Sequence, residues 1–545
     1  MAGGAPVAVR AAAPWRVTAA ALLALCAALA GCGAPAPDGD VLHRGNETEP
    51  DSLDPHRARS VAAMNVLRDL GEGLVTLAPD GSLKPGLAER WEVGVDGLVW
   101  TFELRDGLRW SDGEPLDAHD FVYSFRRLVD PATASFNADM LSALERAPEV
   151  IAGDAPPASL GAEAVDDATL ELRLSRAVPW FAELLTHPST YPVPAAVIEA
   201  HGDRWARAGR HVTAGAYALA DWVQGSHVTL RANPHYHRAD DVAIAEVRHY
   251  ATTDRQGEYN RYRAGDLQIT ANVPSSGFDR IRERHGDELK LAPYLGLYFF
   301  GYNLAREPFA DDARLRRALS FAIDRERLAG EVVGRGELPA WRLVPPALED
   351  YAPPELAAES WSRDRREAEA RRLYEAAGYG EGRAPDIELL YNDSGDNRRI
   401  ALAVQAMWED VLGFRAPLRG EEFQVMLQTI RTGADTSVFR LSWIADYQDP
   451  HSFLTMFESG HSSNLTGYAS DAFDALMADA RLARTERQRL SRLADAEALL
   501  LDDQPIIPVY WWVSKRLVAP EVQGWRDHPM DIHLSRHLSL RPVSP

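Results

Sequence analysis

The chain is 545 residues long, 46% hydrophobic, and carries 58 basic against 80 acidic residues, a formal charge of −22. Its length suits about three globular domains, and its acidity argues against a nucleic-acid partner, because such a surface cannot neutralise phosphates. The two cysteines, Cys26 and Cys32, both fall within the first 32 residues, so the remainder can form neither a disulfide nor a thiolate metal site.

Arg10 and Arg16 precede an apolar run from Val17 to Ala30, interrupted only by Thr18. That is the layout of a Sec signal peptide. The alternative, a transmembrane anchor, needs about 20 apolar residues and the run falls short of that. The ending Leu29-Ala30-Gly31-Cys32 resembles a bacterial lipobox. The resemblance implies that Cys32 is lipidated, becomes the first mature residue and tethers the protein to a membrane. Residues 1–31 hold two arginines and no acid, so their removal leaves 514 residues at −24. Gly33 to Asp40, rich in Pro, Gly and Ala, reads as a flexible tether. No later stretch is long and apolar enough to span a bilayer.

Leu98, Trp100, Phe102 and Leu104 alternate with Val99, Thr101 and Glu103, the period of a half-buried strand. Asp106-Gly107 reads as a hairpin turn leading to Leu108 and Trp110, with a second turn at Ser111-Asp112-Gly113. Asp117 then caps a helix whose apolar face is Phe121, Val122, Phe125 and Leu128. Further helices are predicted over 313–328, 397–412 (stopped by Gly413), 471–482 and 486–501, and short strands over 228–231, 387–391 and 506–510. This alternation predicts an α/β protein built from several sheets; no repeat of 20–50 residues is present. Gly334-Arg335-Gly336 reads as a turn. His235 and His237, with no carboxylate or thiolate cluster at ligand spacing, read as surface residues. Gly-x-Ser-x-Gly, His-Glu-x-x-His and a phosphate loop are all absent from the sequence, so neither an enzyme nor a cofactor or metal is expected.

Trp100-Thr101-Phe102, Trp110-Ser111-Asp112-Gly113-Glu114-Pro115 and Asp120-Phe121-Val122-Tyr123-Ser124 together resemble the signature of solute-binding proteins of peptide ABC importers. Ser52-Leu53-Asp54-Pro55-His56, His187-Pro188-Ser189-Thr190, Asn260-Arg261-Tyr262-Arg263-Ala264-Gly265, Arg314 to Leu319 and Pro505-Ile506-Ile507-Pro508-Val509-Tyr510 extend the similarity, in order, to the oligopeptide-binding branch. Arg440-Leu441-Ser442-Trp443-Ile444-Ala445-Asp446-Tyr447 is the most telling stretch. The resemblance implies that Asp446 pairs with a ligand's α-ammonium. It implies also that Arg440, or Arg431 in a register shifted at that point, meets the ligand carboxylate. The chemistry is sound on its own terms, because an enclosed peptide must have both terminal charges neutralised, and a planar guanidinium suits a carboxylate. Trp443, Tyr447 and Tyr298 are cleft-lining candidates, with core packing as the other reading. Asn392 resembles a pocket position or is simply a turn residue.

The chain departs from that pattern in places. Slots that hold a disulfide in related proteins are Gly296 and Ile444 here, an acidic position is Gly301, and a pocket histidine aligns with Asn397 or Arg398. The resemblance implies a periplasmic-binding-protein type II fold with two lobes. Lobe I would comprise 32–72, 196–295 and 514–545, with an extra domain inserted at 73–195, and lobe II 296–513. The expected function is a lipid-anchored, monomeric receptor that binds short peptides by backbone and termini and delivers them to an ABC permease and its ATPase. A metal-chelate binder and a sensor or adhesin on the same fold are the rival readings.

Overall fold

The computed structural model describes residues 41–541 apart from 311, 349, 381, 434–435 and 484, together with residues 1, 3 and 4. Cys32, the apolar N-terminal run and the tether lie outside the described residues.

From Val41 onward the chain begins with strand β1 (Val41–Gly45) and helix α1 (Val61–Leu70). Ser60 caps α1 by accepting from Ala63 N, satisfying one of the helix's free amide groups. Strands β2 (Ala88–Val93) and β3 (Val99–Leu104), helix α2 (Ala118–Val129), and strands β4 (Ala162–Ala164) and β5 (Thr169–Arg173) follow. They form an antiparallel sheet in the order β2-β3-β5-β4. As the alternation predicts, Trp100, Phe102 and Leu104 of β3 point into the core. Asp117 and Asp120 form a capping box at the start of α2, and Phe121, Phe125 and Leu128 pack beneath the sheet.

The predicted hairpin is corrected. Leu108 and Trp110 are buried but lie in no strand, and Arg109 makes only an isolated bridge with Pro115. The neighbours of β3 are instead β2 and β5, with Trp100 opposite Val93 and Leu172. The local turn signal was sound, but β5 lies too far along the chain to compete in a short-range reading.

Strands β6 (Tyr217–Val223), β7 (His227–Ala232) and β8 (Glu246–Tyr250) return to β1, giving the order β1-β8-β7-β6 with β1 and β8 parallel. The core of this sheet draws on Leu42, Val66 and Val247, and also on Leu517 and Leu538 near the chain's end. Asp69 ties the same three stretches together, accepting from Ser535 Oγ at 2.6 Å and His249 Nε2 at 3.0 Å beside Arg44.

Next come β9 (Leu289–Tyr302), α3 (Ala313–Phe321), β10 (Leu338–Pro339), β11 (Leu389–Asn392), α4 (Gly395–Leu412), β12 (Leu418–Glu421) and α5 (Phe423–Thr432). The chain then forms β13 (Val438–Ile444), α6 (Asp471–Arg481), α7 (Glu486–Asp503) and β14 (Ile506–Leu517). The six-stranded sheet runs β10-β14-β9-β13-β11-β12. Side chains of β9 alternate between its two cores, with Tyr298, Phe300 and Tyr302 on one face and Leu297 and Phe299 on the other, as strand geometry requires. The helix expected over 313–328 ends at Phe321, and Asp324 caps a new turn by accepting from Arg327 N. The buried Arg325 guanidinium binds the carbonyls of Ser320, Ala340 and Pro508 there. A continuous apolar pattern thus conceals a break that serves to satisfy backbone groups.

Strands β9 and β14 pair in two stretches, residues 289–293 with 513–517 and residues 297–301 with 506–511, with the ladder interrupted between Pro293 and Leu297. The first stretch packs on the core of the β1 sheet and the second belongs to the six-stranded sheet.

Candidate functional site

Asp446 follows the last residues of β13, where the chain leaves the sheet. Its backbone N–H donates to Ser452 Oγ at 3.0 Å. The turn beyond is fixed by Asp449, which accepts from His451 N at 2.8 Å and pairs with Arg489 of α7 at 2.5 Å. Tyr447 Oη lies 2.8 Å from His451 Nδ1. The carboxylate of Asp446 itself makes no ion pair or hydrogen bond among the described residues. Solvent reaches it, yet the surrounding protein replaces enough water to push its carboxyl up to about 6. A partly desolvated carboxylate that no cation of the described residues contacts can accept a cation brought by a ligand.

Asp446, Tyr447 and Gln448 form one wall of a cavity of about 190 Å³. Glu183 and His187, from the segment after β5, Arg68 of α1, Leu83 and Met530 also line it. Residues from the segments around each of the three sheets described above therefore meet around Asp446.

Arg440 lies on β13 and is buried. It donates to Asn392 Oδ1 at 2.9 Å and lies over the Tyr298 ring, 4.5 Å from its centroid. Asn397 Nδ2 also donates to Asn392 Oδ1, at 2.8 Å, and Tyr298 Oη donates to Asn397 Oδ1 at 3.3 Å. The Arg440 Nε is buried with no acceptor, and no carboxylate pairs with this guanidinium among the described residues. A cation held in place by neutral amides suits an incoming carboxylate.

The other sequence candidates divide clearly. Tyr447 lines the cavity. Tyr298 is 1% exposed and stacks on Tyr510 at 4.7 Å, so it supports Arg440 from below and is not brought to the cavity wall. Trp443 is half-buried against the core, with its Nε1 unpartnered. Of the two aligned positions, Asn397 turns inward and Arg398 outward. Arg431 is exposed on the last turn of α5, and the structure brings it to neither cluster.

Sequence reasoning missed Arg68 and Glu183, which carry no local motif. It also misplaced His237, which is no surface residue: its Nε2 lies 2.6 Å from the fully buried Glu72. Arg238 and Arg536 join that carboxylate at 3.2 and 3.1 Å, and all three partners lie 165 or more residues from Glu72.

The two departures on β9 have structural counterparts. Gly296 and Ile444 are direct cross-strand partners. A Cβ at 296 would lie 2.8 Å from Trp512 Cδ1, so Trp512 fills that space. Phe439 likewise occupies the space above Gly301.

Residues 82–464 match the model of the bacterial extracellular solute-binding proteins, family 5. The chain belongs to that family. It is 39% identical over 518 residues to the periplasmic oligopeptide-binding protein OppA of Salmonella typhimurium, covering 93% of this chain and 95% of that one. It is 34% identical over 530 residues to the probable deoxycholate-binding periplasmic protein YgiS of Escherichia coli, covering 97% and 98%. The solved structure of the Escherichia coli murein tripeptide binding protein MppA superposes with a TM-score of 0.81 at 34% identity, covering 92% of this chain and 99% of that one. The fold is accordingly the two-lobed type II periplasmic-binding architecture, and family 5 members are transport receptors rather than enzymes.

Proposed function

We propose that this family 5 protein is a lipid-anchored extracytoplasmic receptor that binds short peptides by backbone and termini and delivers them to an ABC permease. Asp446 takes the α-ammonium. Arg440, with Asn392 beside it, takes the carboxylate, and Tyr447 and Trp443 flank the bound chain. The observation that carries this reading is the unpaired Asp446 carboxylate in a cavity between regions of the fold. It also separates the reading from the steroid ligand named for YgiS, since a bile acid brings a carboxylate and no ammonium. A metal chelate is disfavoured for the same reason.

Lobe I comprises residues 32–72, 196–295 and 514–545, lobe II 296–513, and the inserted domain 73–195. The interrupted β9–β14 ladder supports a hinge at that junction. Ligand that touches both lobes stabilises the closed state, and exclusion of water on closure strengthens the ammonium–carboxylate pair. Backbone pairing with the peptide gives affinity without demanding one side-chain sequence. The receptor acts as a monomer held to the membrane through Cys32, with no resident cofactor.

Native mass spectrometry of the protein purified from cells, followed by mild unfolding, tests this. A ladder of released masses matching peptides of two to five residues is expected. A single non-peptide mass or a metal adduct would overturn the reading.

A further inference from the structure

Arg68 projects from the last turn of α1 into the same cavity as Asp446. Among the described residues its guanidinium has no ion pair and no hydrogen bond. The carboxylate that acts on it from nearby, Asp531, is already bonded to Arg516 at 2.7 Å, His533 at 3.0 Å and Ser514 at 2.5 Å. Its other neighbours, Tyr191, Tyr294 and His187, offer no negative charge. A surrounded guanidinium without a partner costs free energy that a bound anion would recover.

We infer that the cavity beside Asp446 receives the ligand's first side chain, and that Arg68 selects a carboxylate there. The inference rests on the assignment of Asp446 to the ligand α-ammonium. The ligand class is then a peptide with a free amino end and an acidic first residue.

Glu183 lines the cavity too and could argue for the opposite charge. Its Oε2 is buried without a partner, and burial pushes its carboxyl up to about 7. Glu183 can therefore shed its charge by taking up a proton, whereas an arginine cannot lose one. Once an ammonium has neutralised Asp446, the charge left over is that of Arg68. The protein as a whole is strongly acidic, so its long-range field repels such a ligand. Added salt screens that field more than the close contact, so the preference should sharpen as salt rises.

Calorimetric binding of Asp-Ala-Ala, Asn-Ala-Ala, Lys-Ala-Ala and acetyl-Asn-Ala-Ala to the ligand-stripped full-length protein tests this. Asp-Ala-Ala should bind about tenfold tighter than its isostere Asn-Ala-Ala, a difference of about 1.4 kcal/mol. Arg68→Met should remove that ratio by weakening Asp-Ala-Ala far more than Asn-Ala-Ala, and Arg68→Lys should restore part of it. Equal binding of the Asp and Asn peptides to the unaltered protein would overturn the inference, even if Arg68→Met does not fold. So would a preference for Lys-Ala-Ala that Glu183→Gln abolishes. Equal binding of acetylated and free Asn-Ala-Ala would instead sink the ammonium assignment, a separate failure.

Discussion

Trp180 lies flat against Tyr447, with ring centroids 6.2 Å apart and planes 5° from parallel. The same indole meets His451 at 4.0 Å and the Arg489 guanidinium at 5.4 Å. An aromatic of the 73–195 segment thus clamps the turn that presents Asp446. Trp180→Ala should lower stability in denaturant titrations by about 3 kcal/mol, the usual cost of emptying a buried aromatic site. Peptide affinity should fall less than on removal of the Asp446 charge, and Trp180→Phe should recover most of both. Unchanged stability would show that the clamp carries no weight.

Asp446→Asn should weaken free-amine peptides roughly 10- to 100-fold, the worth of a charged hydrogen bond, and leave N-acetylated peptides nearly unaffected. Acidity should do the same reversibly. Its surroundings push the Asp446 carboxyl up to about 6, and only the ionised form holds an ammonium, so binding expels a proton below that pH. Affinity for free-amine peptides should therefore fall as pH drops through about 6. That drop should be absent for acetylated peptides and in Asp446→Asn, leaving only the dependence that Glu183 of the same cavity contributes near 7. Isothermal titration between pH 4.5 and 8 checks all three.

Arg440 and Arg431 can be told apart by the ligand's other end. Arg440→Met should cut the preference for a free over an amidated carboxyl terminus roughly tenfold or more. Arg431→Met, on an exposed helix end, should leave it within twofold. The reverse result would move the carboxylate partner to Arg431.

Gly296→Ala should destabilise the protein by about 1–3 kcal/mol, because the added methyl meets Trp512 in a filled core. In a Trp512→Ala background the same change should cost almost nothing. A double-mutant cycle read by thermal unfolding gives the coupling, and zero coupling would mean that another neighbour excludes a side chain at 296.

Cys32→Ser should release the protein from the membrane fraction into the soluble fraction on cell fractionation. A variant that stays with the membrane would remove the lipid-anchor assignment.

What was legible in the sequence was local. Ser394 accepting from Asn397 N and Gly413 at φ 73° bound α4 within two residues of its predicted span, because caps and apolar period sit inside one helix. The Ala-Asp-Tyr motif likewise marked Asp446 from consecutive residues. The strand over 506–510 proved to run on to Leu517, since its continuation pairs with 289–293 and no local pattern signals such a partner. Arg68 and Glu183 were invisible for the same reason. They are 115 residues apart, each resembles an ordinary helix-surface charge, and only the fold puts both beside Asp446. His237 is the mirror case, where a distant Glu72 turned an expected surface residue into an internal one.

The β1 sheet carries a consequence for how the protein is made. Leu42 and Leu538 share one core, and Asp69 waits on Ser535 for two of its hydrogen bonds. Strand β1 therefore cannot complete its surroundings until residues as late as Leu538 have been made. Such long-range closure is slow. The β1 sheet is thus left open during synthesis until that late segment emerges, whatever the cores built from contiguous stretches have done by then.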